Sequence, residues 1–526
     1  MTRWPALTAV VVVLLATPLG AQAGPGPRRL TLEEALGLAR PASEAVGLAR
    51  AGLQRAQGEV RRARSELFPQ VSGSASYNRL LKSQFEGFAG DGGEAPAEPA
   101  GPSSCDAFVP VPGDPVAQRL DSLERSVKCL STLDPFGNLG NLPFGRANTW
   151  NLGLSASQTV FAGGRLLGSV AAAEAGRRSA EIALTAAEAQ LVLEVVEAYS
   201  AAALADRMVA IARAALDQAD STLAQTALRR EVGTVPEFDL LRATVARDNL
   251  RPQWIEAQAA REVAHLRLQQ VLNLPMDQPL DLVTELSDSG FAATPTVASL
   301  LARTPDTAAD RRAGVRQAQE ALTASDALLR VARGDALPAV AITSQYGRVA
   351  YPSSALPNWG EFYTNWNVSV SLQVPLFTGG RLRAGREVAR AGREEAALRL
   401  RQSSEGAALD ARSARATLDA ALATSAASQG TVAQAGRAYE IAEVRFREGL
   451  STQTELLDAR LALQQAQANH ATAARNLVVA RVRLALLADL PLAAGSASPA
   501  ATQATSTSSM RPALQAASSP TGPGFP

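Results

Sequence analysis

The chain has 526 residues, of which 46% are hydrophobic, 19% charged and 5% aromatic. That length supports several layers of structure, while basic and acidic residues nearly cancel to a formal charge of +1. A nucleic-acid partner would want a basic field, and the composition supplies none.

The first segment reads as an export signal covering 1–23. Arg3 gives a positive start, Ala6 to Leu15 an apolar stretch, and Ala21-Gln22-Ala23 a small-x-small cleavage site. About ten apolar residues are too few to span a bilayer, and no later run approaches the roughly 20 that a membrane helix needs. No cysteine stands directly after the apolar stretch, so no lipid anchor is expected. Membrane insertion, if it occurs, must then use β-strands.

Four segments alternate with period two and are read as strands at about 70–79, 148–161, 338–347 and 364–377. Val71, Gly73, Ala75 and Tyr77 share one face, as do Trp150, Leu152, Leu154, Ala156 and Val160. The later pair gives Val340, Ile342 and Tyr346, then Trp366, Val368, Val370, Leu372, Val374 and Leu376. Small or polar residues fill the alternate positions. About ten residues with one apolar face suits a tilted transmembrane strand, and Trp150, Tyr363 and Trp366 suit an interfacial aromatic belt. A soluble hairpin is the alternative.

Between the first two strands, residues 80–147 are dense in Pro, Gly and Ser and contain the only cysteines, Cys105 and Cys129. In an exported protein such a pair is expected to staple a loop as a disulfide, the alternative being two free thiols. Each second strand ends in Phe-x-Gly-Gly-Arg, at Gly163-Gly164 and at Gly379-Gly380. Paired glycines allow the positive φ that re-aims the chain; neither phosphate-loop pattern is present.

Helical hairpins follow at 164–275 and 379–491. Both are rich in Ala, Leu, Glu, Gln and Arg, strong helix formers, and a helix of ~65 residues would be roughly 100 Å long. Each long arm ends at a glycine, Gly233 or Gly449, and a second helix returns. Pro252 is expected to kink the first return. Residues 276–295 form a linker, and 492–526 a tail too poor in apolar surface to fold.

The two hairpins are copies of one unit. TWNLGLSASQTVFAGGR from Thr149 matches NWNVSVSLQVPLFTGGR from Asn365; Gly233 aligns with Gly449, Leu240-Leu241 with Leu456-Leu457, and Leu274-Pro275 with Leu490-Pro491, all 216 positions apart. Upstream, Glu66-Leu67-Phe68-Pro69 matches Asp335-Ala336-Leu337-Pro338 at an offset of 269. The first copy (24–275) therefore carries an insertion that the second (296–491) lacks. The Leu-Pro sites are expected to mark where each helical return stops. Four strands cannot close a barrel, since the smallest known have about eight, and open edges are not tolerated in lipid. Several chains must pool their strands, and three would give twelve.

This combination resembles the TolC family of outer-membrane efflux proteins over Thr31 to Pro491. The resemblance implies a mainly α protein with a membrane β-barrel: a homotrimer whose 12-stranded barrel continues into an α-helical barrel in the periplasm. It implies an outer-membrane exit duct for small molecules in a tripartite pump, with outer-membrane lipid, a periplasmic adaptor and an inner-membrane transporter as partners. A type I protein secretion duct and a non-pore coiled-coil scaffold are the alternatives. The cysteine-bearing insert would be an extracellular loop. Family tips contact the adaptor, which maps onto Val232, Gly233, Thr234, Gly449, Leu450 and Ser451; tight turns alone are the plainer reading. Acidic residues past each tip narrow the entrance and select cations, which maps onto Asp239, Glu455 and Asp458, with solvated helix faces as the alternative. Arg242 stands opposite Asp458 between repeats and is a candidate partner for it. Catalysis is not expected: His265 and His470 occupy unrelated repeat positions, and GxSxG and HExxH are missing. No cofactor or metal is implied.

Overall fold

A computed structural model describes residues 27–82, 105, 108–132, 147–352 and 354–492. The export signal, nearly all of the tail and much of the insert lie outside the described residues. The chain divides into two compact units, Arg61–Ser169 with Arg330–Arg386, and Met1–Val60 with Val170–Leu329 and Glu387–Pro526.

The first of these units is built on a four-stranded antiparallel sheet in the order β2-β3-β5-β6, formed by β2 (Gln70–Arg79), β3 (Asn148–Phe161), β5 (Ala339–Ala350) and β6 (Phe362–Gln373). The register collects like side chains. Gly73 lies opposite Leu154, Leu154 opposite Tyr346, and Tyr77 opposite Trp150; across the last pair Tyr346 meets Trp366 and Ile342 meets Val370. This face is mainly apolar, with Ser344 and Arg348 as its polar members on β5. The alternate positions form a polar face, with Ser72 Oγ 2.7 Å from Ser155 Oγ and Thr343 Oγ1 2.6 Å from Ser369 Oγ. Strands β2 and β6 are the edges, and nearly all their side chains are exposed.

Three expectations about the strands need correction. Strand β6 stops at Gln373, not 377, because Pro375 has no N–H to donate to a ladder; Val374 and Leu376 therefore lie beyond it. Strand β5 runs on to Ala350, where pairing with both Trp150 and Phe362 extends it past 347. Val160 is the extra residue of a β-bulge, so Phe161, not Val160, takes the position opposite Val340.

The strands meet their helices at the glycine pairs. Gly163 and Gly164 have φ of 60° and 82°, and Gly379 and Gly380 of 58° and 87°. At Gly163 space matters as much as torsion, because a Cβ there would lie 2.6 Å from the Gly334 carbonyl oxygen. At the other end of the sheet, Leu80 N–H donates to Ala147 O (2.7 Å) and closes the root of the insert. The insert itself holds α3 (Val116–Thr132) and a Cys105–Cys129 disulfide.

The other unit is helical. Its long arms, α4 (Arg165–Glu231) and α9 (Arg381–Arg447), have 67 residues each, and their returns are α5 (Glu237–Leu272) and α10 (Gln453–Ala485). The short N-terminal pair is α1 (Leu32–Ala42) and α2 (Glu44–Ser65), and α8 (Ala313–Gly334) precedes β5. The returns stop before the Leu-Pro sites: Asn273 adopts φ 52° as a left-handed cap after α5, while α10 ends at Ala485 in a run of turns. Pro252 lies inside α5 and does not end it.

The core of this unit gathers Leu30, Leu36, Val195, Val196, Leu268, Phe291 and Val482 around Tyr199. The Tyr199 hydroxyl donates to Leu30 O (2.9 Å) and accepts from Thr284 N–H (3.0 Å). It thereby braces a short parallel pair, β1 (Arg28–Leu30) with β4 (Leu280–Leu282). The segment read as a linker, 276–295, thus holds β4 and, beside it, α6 (Asp288–Ala292), and α7 (Pro295–Leu301) starts at its last residue. Arg312 is fully buried and reaches Asp410 at 2.5 Å, and Arg483 approaches the same carboxylate at 3.4 Å. Such a pair costs much to break, because either partner alone would be an uncompensated buried charge.

Candidate functional site

The candidate site is the pair of hairpin tips in the helical unit. Each long arm ends in the same backbone device. Thr234 N–H bonds Arg229 O (2.9 Å) and Gly233 N–H bonds Arg230 O (3.0 Å); in the second copy Leu450 N–H bonds Arg445 O (2.7 Å) and Gly449 N–H bonds Phe446 O (3.1 Å). These are Schellman caps, and they require a left-handed residue, supplied by Gly233 at φ 76° and Gly449 at φ 75°. Sequence reading found the turns but not their partners.

The returning helices start differently. Thr452 caps α10 by accepting from Glu455 N–H (3.3 Å). Helix α5 begins after Pro236 with no side-chain cap, and Glu237 and Asp239 supply negative charge to its first turn. In both copies an acidic residue therefore sits in the first turn of the return for a local reason as well as any functional one.

The tips are tied together by residues that sequence reading missed. Arg229 donates to Phe446 O (3.3 Å) and Arg447 O (2.6 Å), and its guanidinium lies 5.3 Å from the centre of the Phe446 ring. It thus satisfies the Arg447 carbonyl at the last turn of α9 and adds a second donor to the Phe446 carbonyl that Gly449 N–H already uses. Gln453 is buried, and its amide, oriented by its neighbours, donates to Asp239 O and accepts from Ala243 N–H, both at 3.2 Å. The first turns of α5 and α10 are in this way held side by side. One signal pointed to Arg229: its repeat counterpart is Arg445, also four residues before the glycine. Arg445 instead folds back on Leu450 O (3.4 Å).

Exposure separates the acidic candidates. Asp239 is half-buried, whereas Glu455 and Asp458 are exposed, as are Val232, Gly233, Thr234, Gly449 and Leu450; Ser451 is half-buried. Arg242 and Asp458 do not form an ion pair among the described residues, so the pairing considered for them is not made within one chain. One turn along, Arg460 is buried against Tyr439, with no ion pair among the described residues. Burial pulls the Arg460 guanidinium below its usual range and pushes the Tyr439 phenol up. Among the described residues no group of three or more His, Cys, Asp or Glu could hold a metal ion, and no helix is long and apolar enough to cross a membrane.

A sheet with a mainly apolar and a polar face, together with long duplicated hairpins that end in exposed tips, is the combination of the outer-membrane channel class. The family model for outer membrane efflux protein matches residues 131–274 and 304–488, more than half of the chain. The chain belongs to the outer membrane efflux protein family, and its location is the outer membrane of a Gram-negative cell. It is 29% identical over 269 residues to the pyoverdine export outer membrane protein OpmQ of Pseudomonas putida, a match covering 49% of this chain and 53% of that protein. It is 27% identical over 322 residues to the toluene efflux pump outer membrane protein TtgF of the same species, covering 60% and 62%. The chain thus spans between about half and three-fifths of the length of these relatives. Among solved structures, the open state of the MtrE outer membrane channel of Neisseria gonorrhoeae superposes with a TM-score of 0.66 at 18% identity, over 88% of this chain and 89% of that one. The outer membrane protein VceC of Vibrio cholerae gives 0.63 at 18%, over 86% and 95%. The fold is that of these channels.

Proposed function

We propose that three copies of this chain form the exit duct of a tripartite efflux pump, conducting small molecules passively out of the cell. The observation that carries this reading is the sheet: an apolar face one membrane thick, a polar opposite face, and two bare edge strands. Backbone groups on such edges cost several kcal/mol each in lipid, so β6 of one copy must pair with β2 of the next. Three copies of four strands then give a closed barrel of twelve, with the Ser- and Thr-rich face inward. The names of the relatives, which refer to pyoverdine export and toluene efflux, favour small-molecule cargo over secreted protein.

In that assembly the tips at Val232-Gly233-Thr234 and Gly449-Leu450-Ser451 meet a periplasmic adaptor, which links the duct to an inner-membrane transporter. Asp239, Glu455 and Asp458, repeated threefold, form acidic rings that favour cations. The test is reconstitution. Purified protein of trimeric mass should conduct in planar bilayers, and folded trimers without conductance would overturn the reading. Cysteine placed at Thr234 or Ser451 should cross-link to the adaptor in cells that express the pump; no adducts would remove the docking assignment alone.

A further inference from the structure

Helix α3 plays no part in closing a barrel or docking an adaptor, yet it is the one helix of the insert among the described residues. Val116, Leu120, Leu123, Val127 and Leu130 recur at alternating steps of four and three, which is the a/d stripe of a heptad repeat. All five side chains are 43–71% exposed. At 17 residues α3 is only slightly longer than the ~12–15 below which a lone helix is marginal in water, so covering its apolar face would add most of its stability. The polar side is satisfied locally, since Arg125 pairs with Asp121 at 3.1 Å. Cys129, held to Cys105, falls at position c, clear of the stripe.

We propose that α3 is a self-association helix. In the assembled protein three copies pack along Val116, Leu120, Leu123, Val127 and Leu130 as a parallel three-helix coil over the outer mouth of the barrel. The inference rests on the trimeric reading above. Two observations select a second copy of this chain as the occupant. The first is symmetry: in the trimeric reading three copies of the insert stand around one axis, which sets each exposed stripe against an identical one, and its steps of four and three suit knobs-into-holes packing between them. The second is charge. Arg119 takes position g and Glu124 position e of the next heptad, five residues on, the spacing at which g of one helix meets e of its parallel neighbour. Neither residue has an ion pair among the described residues, and rotational symmetry about a channel axis forces the copies to be parallel. The insert is rooted at the end of β2 and β3 away from Gly163, so the coil would stand at the mouth opposite the helices and narrow it.

The test uses full-length protein with Cys105–Cys129 intact and a short bismaleimide, which links free thiols and leaves a disulfide alone. Its oligomeric mass is first measured by light scattering. Leu120→Cys and, independently, Val127→Cys should yield mainly cross-linked dimers on denaturing gels. Gln118→Cys, at outer position f, should stay monomeric. Arg119→Glu should lower the Val127→Cys yield several-fold, and adding Glu124→Arg should restore it. A trimeric mass with only monomer bands from both seam cysteines overturns the proposal, whether those thiols react singly or are shielded by the chain's own insert. Equal yields at the seam and at Gln118 overturn it too, and failure of the charge swap overturns the parallel register it needs. A monomeric mass overturns the assembly reading together with this one.

Discussion

At the scale of single residues, the tips depend on one asymmetric arginine. Arg229 and Arg445 are equivalent in sequence, yet only Arg229 bridges to the other copy, with two hydrogen bonds and a ring contact. Arg229→Ala should lower stability by about 1–2 kcal/mol, the sum of two partly exposed hydrogen bonds and a cation–π contact. It should also speed amide exchange of Gly449 and Leu450, measured by mass spectrometry, whereas Arg445→Ala should leave that exchange nearly unchanged. Arg229→Lys should restore only part of the protection, because an ammonium lacks the fork that spans two carbonyls. Deeper in the helical unit, Asp206 on α4 accepts from Arg261 and lies 3.0 Å from His265 Nε2, both on α5. Burial by itself would raise this carboxylate, but the hydrogen bonds and charges of His265 and Arg261 outweigh it and leave it below its usual range. A group depressed on folding stabilises the fold above its unfolded value, near 4, and loses that contribution as pH falls through the folded value. The melting temperature of Asp206→Asn should therefore lie below that of the parent at neutral pH, and the two should converge only in strong acid.

At the scale of elements, the strand-to-helix turns give the sharpest expectation. Gly163 is constrained twice: by φ of 60° and by the Gly334 oxygen and Leu337 Cβ, at 2.6 and 2.7 Å from any added Cβ. Gly164 is constrained by torsion alone, with open space around it. Gly164→Ala should cost about 1–2 kcal/mol, the usual penalty for a left-handed non-glycine residue. Gly163→Ala should cost more and sharply reduce folded protein in the outer membrane, read as the heat-modifiable band on gels. Both glycines were legible in the sequence as turn residues, but the reason for the difference was not, because Gly334 comes from a distant segment. The same holds elsewhere. Period-two alternation located four strands and their apolar faces, since each strand carries its own pattern. The Val160 bulge and the length of β5 were not legible, because register is a property of two strands. The early stop of β6 is legible in Pro375, which has no N–H to give a ladder. At the tips the glycines announced themselves, whereas Arg229, Gln453 and Arg460 act through partners in the other copy or in a local core.

At the scale of the whole molecule, the duplication has a consequence for charge. Helix α5 carries Asp239 and Arg242 where α10 carries Glu455 and Asp458, so in the proposed entrance the two copies would contribute unequally. Gln453 fixes the first turn of α5 against that of α10, which sets these side chains at one level. Asp239 is half-buried and Glu455 and Asp458 are exposed, so the exposed pair should be screened more by salt. Replacing Asp239, Glu455 and Asp458 by Asn, Gln and Asn should shift the reversal potential under a salt gradient from the cation side toward zero. Asp239→Asn alone should account for a growing share of the remaining preference as ionic strength rises. The shift should appear without loss of trimer and with only a small fall in melting temperature, because these carboxylates have no ion pairs among the described residues and give up only their favourable placement in the first turns of α5 and α10. Selectivity that stays unchanged in the triple variant would return all three to the role of solvated helix surface and leave the barrel lumen as the source of any preference.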